Sequence, residues 1–292
     1  MNRFLVAAFA LLLFLVVQGC STTATSTAQV AEAWLSKPLP ELAEAIRDRE
    51  VTAVALVEAY TARIREIDQS GPALRAVLAI DPNALARAEA LDALLVEGNL
   101  VGPLHGVPIL LKDNIEARGP LATTAGSTAL ANNVTDRDSP LVAGLRNAGA
   151  IILGKTNLSQ WANYRSNFSM SGWSSIGGQV KNPHILDRNP CGSSSGSGAA
   201  VAAALAGAAV GTETNGSIIC PSNANGIVGF KPTVGLISTQ HIVPISFTQD
   251  TAGPMTRTVA GAALMLDAMM LDATKLDATA DKSKTDAQVS HF

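Results

Sequence analysis

Residues 189–238 read NPCGSSSGSGAAVAAALAGAAVGTETNGSIICPSNANGIVGFKPTVGLIS, and this stretch decides the fold class. It contains two loops rich in serine and glycine, with an alanine-rich predicted helix (199–205) and a predicted strand between them. The first loop, 191–198, runs directly into the helix, which favours a tight loop over a flexible linker. The second loop ends in Gly216-Ser217-Ile218, where glycine permits a tight turn and makes Ser217 a candidate nucleophile.

Three motifs in this stretch resemble the pattern of the amidase signature family. That family has a GGSSGG-type loop, a (D/E)TxGSI segment and a GxxGxKPT segment, which stand here as CGSSSG, ETNGSI and GIVGFKPT. The chain resembles the family's peptide amidase branch more closely still, because that branch carries CGSSSGS, GTETxGSI and a following CP. The resemblance extends to residues 102–114, 153–163 and 244–255, so that it covers most of the chain.

The resemblance implies a catalytic triad of serine, cis-serine and lysine. Ser217 corresponds to the nucleophile, Ser193 to the serine whose preceding peptide bond is cis, and Lys112 to the general base. Lys112 directly follows the apolar run 107–111, and a lysine buried at a strand end can be neutral, since burial disfavours the ammonium. The implied substrate is a peptide C-terminal amide or a small amide, which reacts through a seryl acyl-enzyme, with no cofactor and no metal.

The resemblance also places an oxyanion hole on the loop before the nucleophile. The expected donors are backbone N–H groups, and Ser194 is expected to belong to the same binding region; the loop residues are Thr214, Asn215, Gly216 and Ser217.

Four residues depart from the broad family pattern. Cys191 and Ser195 replace glycines of the first loop, Asn215 stands where glycine is common, and Ile219 replaces the usual arginine. The peptide amidase branch shares the first two departures and also lacks the arginine. Asn215 differs even from the aspartate that is usual in the branch, and the missing carboxylate predicts a change in substrate preference whose direction the sequence leaves open.

Predicted helices and strands alternate along the chain, which indicates an α/β fold. Together with the resemblance, this pattern predicts a mixed β-sheet core flanked by α-helices and truncated at the C-terminus, because family members are usually longer. Thr52 is the expected N-cap of the second helix. The expected helices are 39–49, 52–69, 82–97, 139–148 and 259–270, and the expected strands are 74–80, 107–111, 150–153 and 226–230.

The N-terminus resembles a bacterial export signal. A positive start and an apolar run predict a signal peptide over 1–19, followed by lipidation of Cys20 in a lipobox-like context. Ordinary signal cleavage near residues 26–28 is the alternative. The prediction continues with a polar tether (20–38), the amidase signature domain (39–272) and a low-complexity tail (273–292), in a lipid-anchored protein of the bacterial cell envelope.

Composition excludes several other classes of protein. The 292 residues carry 21 Lys and Arg against 24 Asp and Glu, which gives a net charge of −3. This balance lacks the excess of basic residues that is typical of nucleic-acid-binding proteins. Hydrophobic residues make up 47%, which excludes a solvated disordered chain. The four histidines form no HExxH pair. Cys191 and Cys220 are expected to be small buried thiols, with a disulfide between them as the alternative.

Two rival functions have some support in the sequence. Residues 149–156 satisfy the nucleotide-binding pattern GxxxxGK[ST], but 150–153 reads as an apolar strand where that motif needs a phosphate-cradling loop. The other rival is an amidase-like lipoprotein that keeps the signature without activity, since the chain is short for the family.

Overall fold

The computed structural model describes residues 27–270. In chain order it contains helices α1 (Thr27–Trp34), α2 (Leu39–Arg47), α3 (Ala53–Arg63), α4 (Ala84–Val96), α5 (Pro140–Asn147), α6 (Ser195–Ala202), α7 (Ile219–Ala224) and α8 (Val259–Met270). Its strands are β1 (Val77–Ile80), β2 (Pro108–Lys112), β3 (Ile151–Thr156), β4 (Trp173–Ser174), β5 (Gly178–Gln179), β6 (Ala208–Glu213), β7 (Val228–Gly229) and β8 (Thr251–Thr256). A π-helical turn covers Ile64–Asp68, and short 3-10 turns cover Thr128–Leu130 and Gln160–Asn163.

Six strands form one mixed sheet in the order β1-β3-β2-β6-β8-β7. The central strands β3, β2 and β6 are parallel, whereas β1, β8 and β7 pair antiparallel to their neighbours. Because β2 lies between two parallel strands and is buried along its whole length, its sequence reads as a continuous apolar run. This arrangement brings the carboxyl ends of β2 and β6 to the same edge of the sheet, where open α/β sheets place their sites.

Helix α6 packs on the sheet and contacts five of its strands. Small residues make this close approach possible: a Cβ added at Gly196 would lie 2.3 Å from the carbonyl oxygen of Ala76. The helix therefore begins inside the serine- and glycine-rich loop, at Ser195, and not at the predicted residue 199. The glycines that indicated a loop serve helix packing instead.

Several predicted boundaries agree with the structure and others need correction. Thr52 caps α3 by accepting a hydrogen bond from the Ala55 N–H (3.1 Å), and α8 spans the predicted range. The predicted strand 226–230 is only two residues long, and the sequence analysis did not predict β8 at all. The predicted mixed sheet with flanking helices is confirmed.

The predictions for the two ends of the chain lie outside the described residues. These are the signal peptide, the lipidated Cys20 with the first part of the tether, and the tail at 273–292, and they stay predictions. Within residues 27–270, no helix is both long and apolar enough to cross a membrane.

Candidate active site

Lys112 is the last residue of β2 and is fully buried. Its Nζ lies 2.7 Å from the Ser193 hydroxyl oxygen, 2.8 Å from Thr212 Oγ1 and 3.2 Å from the Thr212 carbonyl oxygen. The lysine thus joins the end of β2, the end of β6 and the loop before α6. Of the three predicted triad residues, Lys112 and Ser193 are in direct hydrogen-bond contact.

Burial changes the proton affinity of this amine. Desolvation lowers the pKa of Lys112 to about 7, and the carboxylates of Asp250 and Glu213 oppose part of that shift. A substantial fraction of the amine is therefore neutral near neutral pH, which is the state that a general base requires.

The three oxygens around Lys112 Nζ can accept from all three donors of an ammonium, and the same site also accommodates a neutral amine. A neutral lysine has two N–H donors and one lone pair, whereas the ammonium has three donors and no acceptor. The two Thr212 oxygens can accept the two N–H groups, because a carbonyl oxygen accepts only and a hydroxyl oxygen can accept. The lone pair is then available to the Ser193 hydroxyl proton.

Ser193 and Ser194 occupy the loop that leads into α6. The peptide bond between Gly192 and Ser193 is cis. Ser194 is fully buried: its hydroxyl donates to the Thr212 carbonyl oxygen (3.0 Å) and accepts from the Thr212 N–H (3.2 Å). The Ser194 N–H donates to the Ser217 carbonyl oxygen (3.1 Å). These contacts hold the site's own segments together, and the expectation that Ser194 belongs to the binding region stays a prediction.

Ser217 follows a tight turn that one buried carboxylate organises. Glu213 accepts hydrogen bonds from the N–H groups of Gly216 (2.6 Å), Ile218 (2.7 Å) and Ile219 (3.0 Å). Gly216 has a φ of +83°, a left-handed conformation that glycine adopts without strain. Ser217 itself is 7% exposed at the start of α7.

The four backbone N–H groups predicted to form the oxyanion hole differ in whether they are already hydrogen-bonded. The Gly216 N–H is bonded to Glu213, so it is not free to bind a substrate oxygen. Within residues 27–270, the backbone N–H groups of Thr214, Asn215 and Ser217 donate no hydrogen bond. These three donors stay the predicted oxyanion hole.

The two cysteines flank this site and are bonded to each other. Cys191 precedes the Gly192-Ser193 pair, Cys220 lies in the first turn of α7, and their Cα atoms are 5.8 Å apart in a disulfide. Cys191 is half-buried and Cys220 is exposed. The expectation of small buried thiols is wrong, and the alternative disulfide is what the structure has.

The Lys155 region has no phosphate-binding geometry. Residues 151–156 form β3, where a nucleotide-binding motif needs a loop. Lys155 is 1% exposed, and its Nζ donates to Asp113 Oδ1 (3.2 Å), the Ile115 carbonyl oxygen (2.7 Å) and Thr123 Oγ1 (3.0 Å). Because the Lys155 amine already donates to these three oxygens, it is not available to bind a phosphate.

Two adjoining cavities lie beside this site, and Thr212 lines the smaller of them. The larger holds about 130 Å³ and has mainly apolar walls, including Ala125, Trp161 and Pro244. The smaller holds about 10 Å³ and is lined by Thr212, Thr214, Asp250 and other residues. Asn114, Ala162, Val243 and Ile245 line both cavities.

The sequence analysis missed several residues of this site. No role was predicted for Thr212 or Glu213. Thr212 contacts the Lys112 amine, and Glu213 organises the turn around Ser217. Asn114, two residues after Lys112, also had no predicted role. A short polar run directly after each buried strand was the available signal, because strand ends meet at one edge of the sheet.

A family model described as Amidase matches residues 55–291. Because that match covers most of the chain, the chain belongs to the amidase family.

Solved and curated relatives agree with this assignment. Native peptide amidase from Stenotrophomonas maltophilia is 54% identical with a TM-score of 0.79, and the match covers 80% of this chain and 48% of that one. An amidase family protein from Bacillus anthracis str. Ames is 38% identical with a TM-score of 0.80, over 86% and 50% of the two chains. An Arabidopsis thaliana relative named as a probable amidase is 45% identical over 246 residues, 84% of this chain and 47% of the relative. The chain thus spans about half the length of the relatives that it matches.

Proposed function

We propose that this protein hydrolyses the C–N bond of a carboxamide. The observation that carries the proposal is the contact between the fully buried Lys112 amine and the Ser193 hydroxyl at 2.7 Å. An aliphatic hydroxyl is a weak nucleophile unless a base activates it, and a buried neutral lysine can be that base. The peptide amidase relative supports a peptide C-terminal amide as the substrate.

The proposed reaction has two acyl-transfer steps. Ser217 Oγ attacks the amide carbon while its proton passes to Ser193, whose own proton passes to Lys112 Nζ. Backbone N–H groups stabilise the oxyanion, and one such donor contributes about 3 kcal/mol to the transition state. The C–N bond then breaks as Ser193 and Lys112 return the proton to the leaving nitrogen, which releases ammonia. Water, deprotonated through the same relay, attacks the seryl ester, releases the acid and restores Ser217.

The test is ammonia release from an N-acylated peptide amide by the full chain and by its Ser217→Ala variant. We expect release by the wild-type chain and only the background rate from the variant, because no other hydroxyl replaces the nucleophile. A circular dichroism spectrum of each chain checks that both are folded. Equal rates would contradict the proposal and favour the rival of an amidase-like protein without activity.

The rate should also depend on pH through Lys112. Burial lowers the pKa of Lys112 to about 7, so the amine loses its proton as the pH rises through that value. We expect kcat/KM to rise through about pH 7 and then level off, because the base acts only when neutral. A profile measured from about pH 5 to pH 9 checks this. A rate that still rises about tenfold per pH unit at pH 9, as for the ordinary lysine pKa of 10.5, would assign the base to an exposed amine.

A further inference from the structure

Asn114 is a buried polar residue with an unpaired acceptor beside the site. Its side chain is 4% exposed, and its Nδ2 donates a hydrogen bond to Thr212 Oγ1 (3.0 Å). Thr212 Oγ1 in turn contacts the Lys112 amine at 2.8 Å. Within the described part of the chain, Asn114 Oδ1 has no hydrogen-bond partner. A buried acceptor without a partner is costly, so the atom has capacity for a donor that residues 27–270 do not supply.

The position of Asn114 indicates which kind of molecule carries that donor. The residue lines both the larger apolar cavity and the smaller polar one, so a molecule that extends from one cavity to the other passes it. The larger cavity, at about 130 Å³ and with Trp161, Val243 and Pro244 in its walls, suits an aliphatic side chain.

The neighbouring carboxylates already accept several hydrogen bonds each, whereas Asn114 Oδ1 accepts none from the described residues. Glu213 accepts three backbone N–H groups, as described above. Asp250 accepts the Thr214 hydroxyl and the backbone N–H groups of Ile245 (2.7 Å) and Ser246 (3.0 Å). These two carboxylates line the smaller cavity and favour a hydrogen-bond donor there, whereas the cationic Arg165 is in the wall of the larger cavity.

We propose that Asn114 Oδ1 accepts the α N–H group of the residue whose carboxamide is cleaved, while the aliphatic side chain of that residue fills the larger cavity. This inference rests on the proposed function and specifies its substrate class. Amides of N-acylated amino acids and of peptides carry such an N–H, whereas simple aliphatic amides do not. Asn114 is then a residue that determines specificity and takes no part in the proton transfers.

The test compares two amides that differ at one atom. N-acetyl-leucinamide carries the α N–H, and its analogue 2-acetoxy-4-methylpentanamide has an ester oxygen there. We expect the full chain to favour the N–H compound by about ten-fold or more in kcat/KM, because the oxygen analogue leaves a buried acceptor unpaired. The same ratio should appear in the Kd values measured by calorimetry with the Ser217→Ala chain, in which neither amide is turned over.

Two variants separate recognition from structure. Asn114→Leu should bring the ratio close to one, because it removes the acceptor at similar volume. Thr239→Val removes a hydroxyl from the smaller cavity and should leave the ratio unchanged. If Asn114→Leu does not fold, the wild-type ratio still decides.

Each outcome of this comparison has a defined meaning. Three results with the Ser217→Ala chain would overturn the inference. They are equal Kd values for the two amides, a lower Kd for the oxygen analogue, and no binding of either amide. A ratio in Kd without hydrolysis would support the inference while the proposed function fails. Hydrolysis of both amides at equal kcat/KM would support the function alone.

Discussion

Replacing Lys112 with methionine should lower kcat/KM for a peptide amide by about a thousand-fold or more. Methionine keeps much of the buried volume but cannot take the Ser193 proton, so Ser217 loses the base that activates it. KM should change little, because Lys112 Nζ contacts Ser193 and Thr212 and is fully buried. Steady-state kinetics on the purified full chain measure the effect.

The control is Lys181→Met, a lysine whose Nζ donates to the Pro72 carbonyl oxygen away from Ser193. It should retain the wild-type kcat/KM. If Lys112→Met kept wild-type activity in a folded chain, the base would have to be another group and the proposed relay would be wrong.

Replacing Lys155 with methionine should destabilise the fold by about 3–5 kcal/mol. The change leaves the Asp113 carboxyl buried without its ion-pair partner, and burial already raises the pKa of that carboxyl. The Asp113 carboxyl would retain hydrogen bonds from the hydroxyl and the N–H of Thr124. Urea denaturation of the wild-type and variant chains measures the free energy of unfolding.

The double variant Asp113→Leu with Lys155→Met should recover much of this loss, because it removes both buried charges together. The Lys155→Met protein that remains folded should keep most of its kcat/KM for a peptide amide, in contrast to Lys112→Met. A Lys155→Met chain as stable as the wild type, or a double variant less stable than the single one, would contradict the assignment of a buried ion pair.

Sequence motifs were sufficient to predict the position of the site. The apolar run before Lys112 is typical of a buried strand, and the two serine loops flank a predicted helix and strand. The sheet edge that these segments share was therefore predictable. Thr52 was recognisable as an N-cap because its hydroxyl precedes a helical pattern. These features depend on local sequence, which is why they could be predicted.

Other features depend on contacts between distant residues and escaped the sequence analysis. Strand β8 contains Gly253 and Pro254, which argue against a strand, and it forms because β6 supplies its hydrogen bonds. The start of α6 depends on the closeness of Gly196 to Ala76, which no local pattern records. Only the position of every neighbouring donor in residues 27–270 shows that Asn114 Oδ1 has no partner among them.

The cross-link between Cys191 and Cys220 makes residues 191–220 a closed covalent ring. Both serines of the proposed relay, together with α6 and β6, belong to this ring. Fraying of the sheet would leave both hydroxyls on this ring, and a single peptide-bond break would open the ring but leave them joined through the disulfide. Closure of a loop of this size also removes unfolded-state entropy worth about 3–4 kcal/mol. The oxidised chain therefore holds its reacting groups near each other even when the surrounding packing loosens.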